Sequence, residues 1–508
     1  MAATLVCWRI HTYLEAIRHS SCETVPDIPL ISPAIDAFRN LGHAARSAVD
    51  PMLRIGVTGL ARSGKTVFTT ALVHQLLCDS DLPALGVSAQ GRLRRARLAP
   101  QPDDAVPRFQ YEDHVRALVE ERIWPDSTRA ISELRLVVEF ESASAWGRMF
   151  SRGSLALDIV DYPGEWLLDL PLLGKDYATF SRDALELAGL PARAALSARW
   201  RQQMEETDPF GPADEMQAKQ LFESFAAYLL ACRDDTRALS TLPPGRFLMP
   251  GDLEGSPALT FAPLPGLDSR RPPPGSLAAM MERRYEAYKR HVVKPFFREH
   301  VARLDRQIVL VDAMQAMNAG SEAVADLERA LTEILTCFRS GRGSVLTDWF
   351  SRRIDRILVA ATKADHIHHE SHDRLQAIAR RLTDRSLQRA NFSGAQVEVL
   401  AMAAVRATRE GTTRHGKEEL PVIIGTPIKG ETIAGEKFDG KSETAVFPGD
   451  LPTDPDEALV PGGDGSDLIR FVRFRPPKLE KTAEGLSLSL PHIRLDRALQ
   501  FLLGDRLA

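Results

Sequence analysis

The eight residues Gly59-Leu60-Ala61-Arg62-Ser63-Gly64-Lys65-Thr66 constrain this chain more than any other feature. They match G-x-x-x-x-G-K-[ST] at every defined position. An apolar, partly β-branched run at 53–58 precedes them, and Val67, Phe68, Ala71, Leu72, Leu76 and Leu77 follow at helical spacing. Strand, loop and helix in that order turn successive backbone N–H groups and a helix N-terminus toward one anion. In such a loop Lys65 bridges terminal phosphate oxygens and the Thr66 hydroxyl holds Mg²⁺. Gly59, Ser63 and Gly64 let the backbone wrap the phosphates.

Five further runs have strand character, at 131–140, 155–160, 307–311, 357–361 and 397–401. Helical patterns at 323–338 and 372–387 separate the later ones, which implies an α/β fold: a mostly parallel sheet of about six strands, covered on both faces. Only the segment 141–154 joins the second and third strands. That is too short for a helical crossover, so the pair is expected to be an antiparallel hairpin. The spacing divides the chain into five parts. Residues 1–50 form a leader with a docking helix around Ile35, Phe38 and Leu41, and 51–165 the first part of the core. A helical insertion spans 166–305, the second part of the core 306–410, and a β-rich C-terminal extension 411–508.

Two more motifs end strands of this sheet. Asp161-Tyr162-Pro163-Gly164 follows the third strand, where D-x-x-G supplies a carboxylate to a magnesium shell and a glycine N–H to a terminal phosphate. Thr362-Lys363-Ala364-Asp365 follows the fifth. A carboxylate there accepts two hydrogen bonds from guanine's ring N–H and exocyclic amine, a donor pair that adenine lacks. Three ordered motifs at strand ends therefore point to a guanine nucleotide, GTP or GDP, with Mg²⁺.

GLARSGKT, DYPG and TKAD in this order resemble the phosphate-loop GTPases of Ras-like topology. More narrowly, LRIGVTGLARSGKT, DIVDYPGEWLLDLPLL, RILVAATKADH, AMAAVRAT and the terminal IRLDRALQFLLGDRL resemble the YcjX-like family of bacterial stress-associated proteins. The resemblance implies a Ras-like P-loop core with a helical insertion and a C-terminal extension, in a cytoplasmic stress-response protein. It also implies site residues. Thr128, with Ser127 as the alternative, stands where the switch-one threonine completes magnesium coordination beside Thr66 and Asp161. Ala403-Ala404-Val405 stands for the base-backing loop, keeping a backbone N–H for guanine O6 but not the serine. Glu165 replaces the water-orienting glutamine after D-x-x-G. The catalytic set is then Lys65, Thr128, Gly164 and Glu165, with an arginine finger from Arg62, Arg129, Arg246 or a partner.

Composition narrows the partners. Lys and Arg number 64 against 68 Asp and Glu, a net charge of −4, so no global basic surface exists to hold nucleic acid. The five cysteines form no C-x-x-C pair, which fits a reducing cytoplasm. No run of ~18 apolar residues marks a membrane span. The basic run Arg92, Arg94, Arg95 and Arg97 is expected to be a solvated, mobile switch segment, with contact to anionic lipid or an acidic partner as the alternative. His366, His368, His369 and His372 are expected at a solvated helix start. The leading expectation is a slow, Mg²⁺-dependent GTPase acting as a nucleotide-state switch in a stress-related process. A protein partner would dock on the insertion or the C-terminal extension. The alternatives are a nucleotide-bound scaffold with negligible turnover and an ATP-dependent enzyme.

Overall fold

The computed structural model describes residues 51–508 except 61, 79–81, 102, 127–129, 144–152, 238, 269, 339–353, 392–394, 416–417, 434, 460–471, 479–480, 483–484 and 487–488. The expected leader and docking helix at 1–50 lie outside the described residues.

A seven-stranded mixed sheet forms the centre, in the order β2-β3-β4-β1-β5-β6-β7. Its strands are β1 Met52–Gly59, β2 Leu93–Ala99, β3 Ser132–Phe140, β4 Gly153–Asp161, β5 Arg306–Val311, β6 Arg356–Ala361 and β7 Gln396–Ala401. β1 runs parallel to β4 and β5, and β5, β6 and β7 continue in parallel. β3 and β4 pair antiparallel, as the short joining segment requires. The sheet of about six strands that was expected has seven, β2 being the added one. β2 contains Arg94, Arg95 and Arg97 of the arginine run that was read as a mobile switch segment. It pairs antiparallel with β3 at the sheet edge, where Arg94 and Arg97 face Glu141 and Glu139. Charged side chains on an edge strand block pairing with other chains, which is why a run this basic can still be a strand.

Helices cover both faces. One face carries α1 Lys65–Leu77 and the last helix of the chain, α9 Leu495–Leu503. Leu495, Leu499, Leu502 and Leu503 of α9 are fully buried, each worth about 1.5–3 kcal/mol over exposure. The buried Arg306 guanidinium on β5 ties α9 down by donating to Asp505 and to the Leu502 carbonyl, with Asp355 on its other side. The chain terminus is thus part of the core.

The opposite face carries the segment between β4 and β5. It contains α3 Tyr177–Ala188, α4 Pro191–Glu205, α5 Glu215–Asp234 and α6 Leu277–Tyr288, after the short helix α2 Tyr111–Arg116 earlier in the chain. Leu221, Phe225 and Leu229 of α5 are core residues, packed with Trp200, Phe247 and Phe261. This core is continuous with α7 Ser321–Cys337, α8 His372–Asn391 and the sheet residues Val160, Val309 and Val359. After β7, β8 Arg409–His415 and β9 Glu418–Gly425 form a three-stranded sheet with 444–446, and one short two-stranded hairpin precedes 444–446 while another follows it.

Candidate nucleotide-binding site

β1 delivers the chain to Gly59, and the loop turns into α1 through Gly64, which sits at φ +82°, a conformation that favours glycine. Arg62 also adopts positive φ, +65°. The Lys65 ammonium donates to the Gly59 carbonyl at 2.9 Å, so the cation spans its own loop. Thr66 donates its hydroxyl proton to the Asp126 carbonyl at 3.0 Å, which leaves oxygen lone pairs for a cation.

At the other end, Thr362 donates its N–H to the Val311 carbonyl and so aligns the loop after β6 with the end of β5. Lys363 takes positive φ, +63°, and its ammonium pairs with Asp312 at 2.5 Å. One oxygen of the Asp365 carboxylate accepts from the Ala407 N–H at 2.9 Å, and the Asp365 carbonyl accepts from the Thr408 hydroxyl. Burial pushes this carboxyl up to about 6, against the opposing pull of the Ala407 N–H, Lys363 and Arg406. Ala364 N–H bonds the Met402 carbonyl, and Ala403 pairs with Ile493 in both directions, so the 402–405 loop is fixed beside the TKAD loop. His366 and His372 are not solvated as expected. Both are buried, and His372 Nε2 lies 2.9 Å from the Ala364 carbonyl, supporting the loop from behind.

One cavity of about 700 Å³ joins the two ends. Ser63, Gly64, Lys65, Thr66, Thr362, Lys363, Asp365, Ala403, Ala404 and Val405 all line it. Asp161, Gly164 and Glu165 do not. Asp161 is buried at the end of β4, in register with Val57 of β1. Gly164 lies directly against the back of the loop, where a Cβ would overlap the Gly59 carbonyl oxygen. Glu165 is buried, and a Cβ on Gly245 would overlap its carbonyl oxygen. Thr128, Ser127 and Arg129 lie outside the described residues. Arg62 lines the cavity, whereas Arg246 stacks on the Trp166 ring, 3.2 Å from its centroid, outside it.

The same cavity has a wall that the motifs did not reveal. It is built from Arg122 and Trp124 on one side and Lys429, Lys441, Phe474 and Arg475 on the other. Trp124 Nε1 donates to the Phe474 carbonyl at 2.6 Å, and Phe474 meets the His366 ring edge-on. The sequence signal was limited to two glycine–lysine turns within a stretch that otherwise reads as a generic extension.

Residues 53–507 match the YcjX-like family, DUF463. The chain belongs to that family. It is similar to the protein named Ras-like GTPase YcjX of Escherichia coli (strain K12), at 39% identity over 480 residues that cover 92% of this chain and 98% of the relative. A Shewanella oneidensis protein of the same name is 34% identical over 480 residues, covering 90% and 95%. The Thr66 hydroxyl on the cavity and the Asp161 carboxylate, buried outside its lining, are oxygen donors of the kind that Mg²⁺ takes. Among the described residues no helix is long and apolar enough to cross a membrane.

Proposed function

We propose that this chain binds GTP and GDP, reading guanine with Asp365 and holding the 5′ phosphates in the Gly59–Thr66 loop, and that it hydrolyses GTP slowly. The observation that carries this reading is that the phosphate loop and the Asp365 loop line one cavity. A P-loop at one end and a buried guanine-type acceptor at the other match the two ends of a guanine nucleotide. The name of the relatives, Ras-like GTPase, supports the same nucleotide. Thr66, Asp161 and Thr128 would hold Mg²⁺, which neutralises charge on the terminal phosphates. Lys65 would spread the charge that develops as water attacks in line, and Arg62, the finger candidate that lines the cavity, would assist. Gly164 and Glu165 form the element that responds to the γ-phosphate.

That response has a physical route into the insertion. Gly164 presses on the loop at Gly59, and the next residue, Glu165, presses on Gly245 within the insertion. A displacement at Gly164 is therefore passed to Gly245 without slack, since packed interiors shift between discrete arrangements. The insertion is the surface where we place a protein partner, in the cytoplasmic, stress-related setting that the family resemblance implies. The second reading, a nucleotide-bound scaffold with negligible turnover, is favoured by one observation: Glu165 does not line the cavity.

Calorimetry with GTP, GDP and ATP, followed by phosphate release on the same samples, separates these readings. Tight GTP and GDP binding, weak ATP binding and slow phosphate release support the switch. Guanine binding without phosphate release supports the scaffold. ATP binding equal to GTP overturns both. Lys65→Ala is expected to abolish measurable binding in either case.

A further inference from the structure

Four non-glycine residues among those described take positive φ: Arg62, Arg122, Lys363 and Arg494. The first three are cations that line the nucleotide cavity. Strained backbone held by its surroundings clusters at ligand sites, and two of these three sit in the phosphate loop and the base loop. Arg122, at φ +53°, belongs to neither. A reciprocal clasp holds it in place. Arg122 Nε donates to the Pro476 carbonyl at 3.0 Å, while Arg475 donates to the carbonyls of Arg122, Glu121 and Gly440. All four acceptors are neutral. Lys429 and Lys441 line the same wall, and among the described residues none of Arg122, Arg475, Lys429 and Lys441 closes an ion pair. Asp439 is the nearby carboxylate on the cavity, but the backbone N–H groups of Lys441 and Ser442 and the Ser442 hydroxyl already engage it.

The wall also has a definite position along the nucleotide. Trp124 is bonded to Phe474, which touches His366 next to Asp365, and Asp126 is bonded to Thr66. The segment 124–126 therefore runs from the base end of the cavity to the phosphate end, alongside the space between them, and Arg122 precedes it on the base side. In a nucleotide that space is the ribose. We propose that Arg122, Lys429, Lys441 and Arg475 form a second anion subsite that takes a phosphate group at the ribose, so that the cavity prefers guanine nucleotides phosphorylated on a ribose hydroxyl. This rests on the guanine-nucleotide reading above. Like-charged Arg122 and Arg475 held together in the cavity wall repel each other, and an anion between them removes that repulsion; burial and Arg475 already depress the Arg122 pKa.

The test is competitive binding on the full chain with GDP, guanosine 5′-diphosphate 3′-diphosphate and, on GDP-saturated protein, inorganic pyrophosphate. The ribose-phosphorylated nucleotide is expected to bind about ten-fold or more tighter than GDP, since charge-assisted bonds to phosphate are the strong ones. Lys429 and Lys441 are exposed, so the double variant Lys429→Gln with Lys441→Gln is expected to fold, to erase most of that advantage and to leave GDP affinity within about two-fold. Pyrophosphate binding to GDP-loaded protein that the same variant abolishes assigns the subsite to a free anion and overturns the ribose assignment. Equal affinity for GDP and the ribose-phosphorylated nucleotide overturns the subsite itself. If GDP does not bind, the guanine reading fails instead, and the two failures are distinguishable.

Discussion

Along the carboxyl edge of the central sheet, the base end and the switch end handle their motifs in opposite ways. At the base end, the TKAD loop and the 403–405 loop open onto the cavity, and their polar groups are presented to a ligand. At the switch end, DYPG and Glu165 turn away from the cavity, sandwiched between the back of the phosphate loop and Gly245 of the insertion. Each end holds a buried carboxyl pushed up to about 6 by burial: Asp365 at the base end and Asp169 at the switch end. Asp365 faces the ligand space, whereas Asp169 accepts from the Tyr288 hydroxyl at 2.7 Å and the Gly245 N–H at 2.8 Å. The same sheet architecture thus presents polar groups to the cavity at one end and packs them against the insertion at the other.

The largest effect is expected at the anchor of the insertion loop. Asp326 accepts from the backbone N–H groups of Ser240 and Thr241 and pairs with the buried Arg193 at 2.6 Å, fixing the stretch that leads to Gly245. Asp326→Ala leaves Arg193 buried without its carboxylate and is expected to cost about 3–5 kcal/mol in chemical denaturation. Asp365→Asn acts at the other end. GTP affinity relative to ATP is expected to fall by about a hundred-fold while stability holds, because only the acceptor for guanine's paired donors is lost. Gly245→Ala forces a Cβ into the Glu165 carbonyl and is expected to cost about 1–3 kcal/mol. Phosphate release should change more than GTP affinity in this variant. Unchanged release would mean that the contact is only packing.

The two carboxyls differ in what a change of pH does to ligand binding. If guanine is read by the Asp365 carboxylate as proposed, GTP affinity is expected to weaken by roughly ten-fold per unit as pH falls below about 6. Stability moves the other way. A carboxyl whose folded pKa is raised binds more protons folded than unfolded, so each group taken alone favours the folded state more as pH drops from about 6 toward 4. Asp365→Asn should flatten the affinity profile, and Asp169→Asn should leave it unchanged. The smallest effect is expected at the sheet edge. Arg94 and Glu141 are both well exposed, and Arg94→Ala should shift stability by less than about 0.5 kcal/mol.

The difference between the ends also explains what the sequence could reveal. The strands at 307–311, 357–361 and 397–401 were legible because buried parallel strands read as apolar runs, and the base-end motif was legible because it follows one of them. β2 was missed because an edge strand need not be apolar, and Arg94, Arg95 and Arg97 mask it. Glu165 was expected beside the attacking water by analogy with position. Its burial under Gly245 depends on an insertion loop some eighty residues later in the chain, and local pattern carries no trace of that contact. The cavity wall at Arg122 and 428–476 was invisible for the same reason: residues some 350 positions apart meet only in the folded chain.

The central claim is that Asp365 reads guanine, and a swap of base tests it most directly. Xanthine carries a carbonyl where guanine carries its exocyclic amine, so an asparagine amide can donate where the aspartate accepted. Binding of GTP and xanthosine triphosphate would be measured on the native chain and on Asp365→Asn. The account predicts that the native chain favours GTP and that the variant favours xanthosine triphosphate. An unchanged preference for GTP in the variant would contradict it.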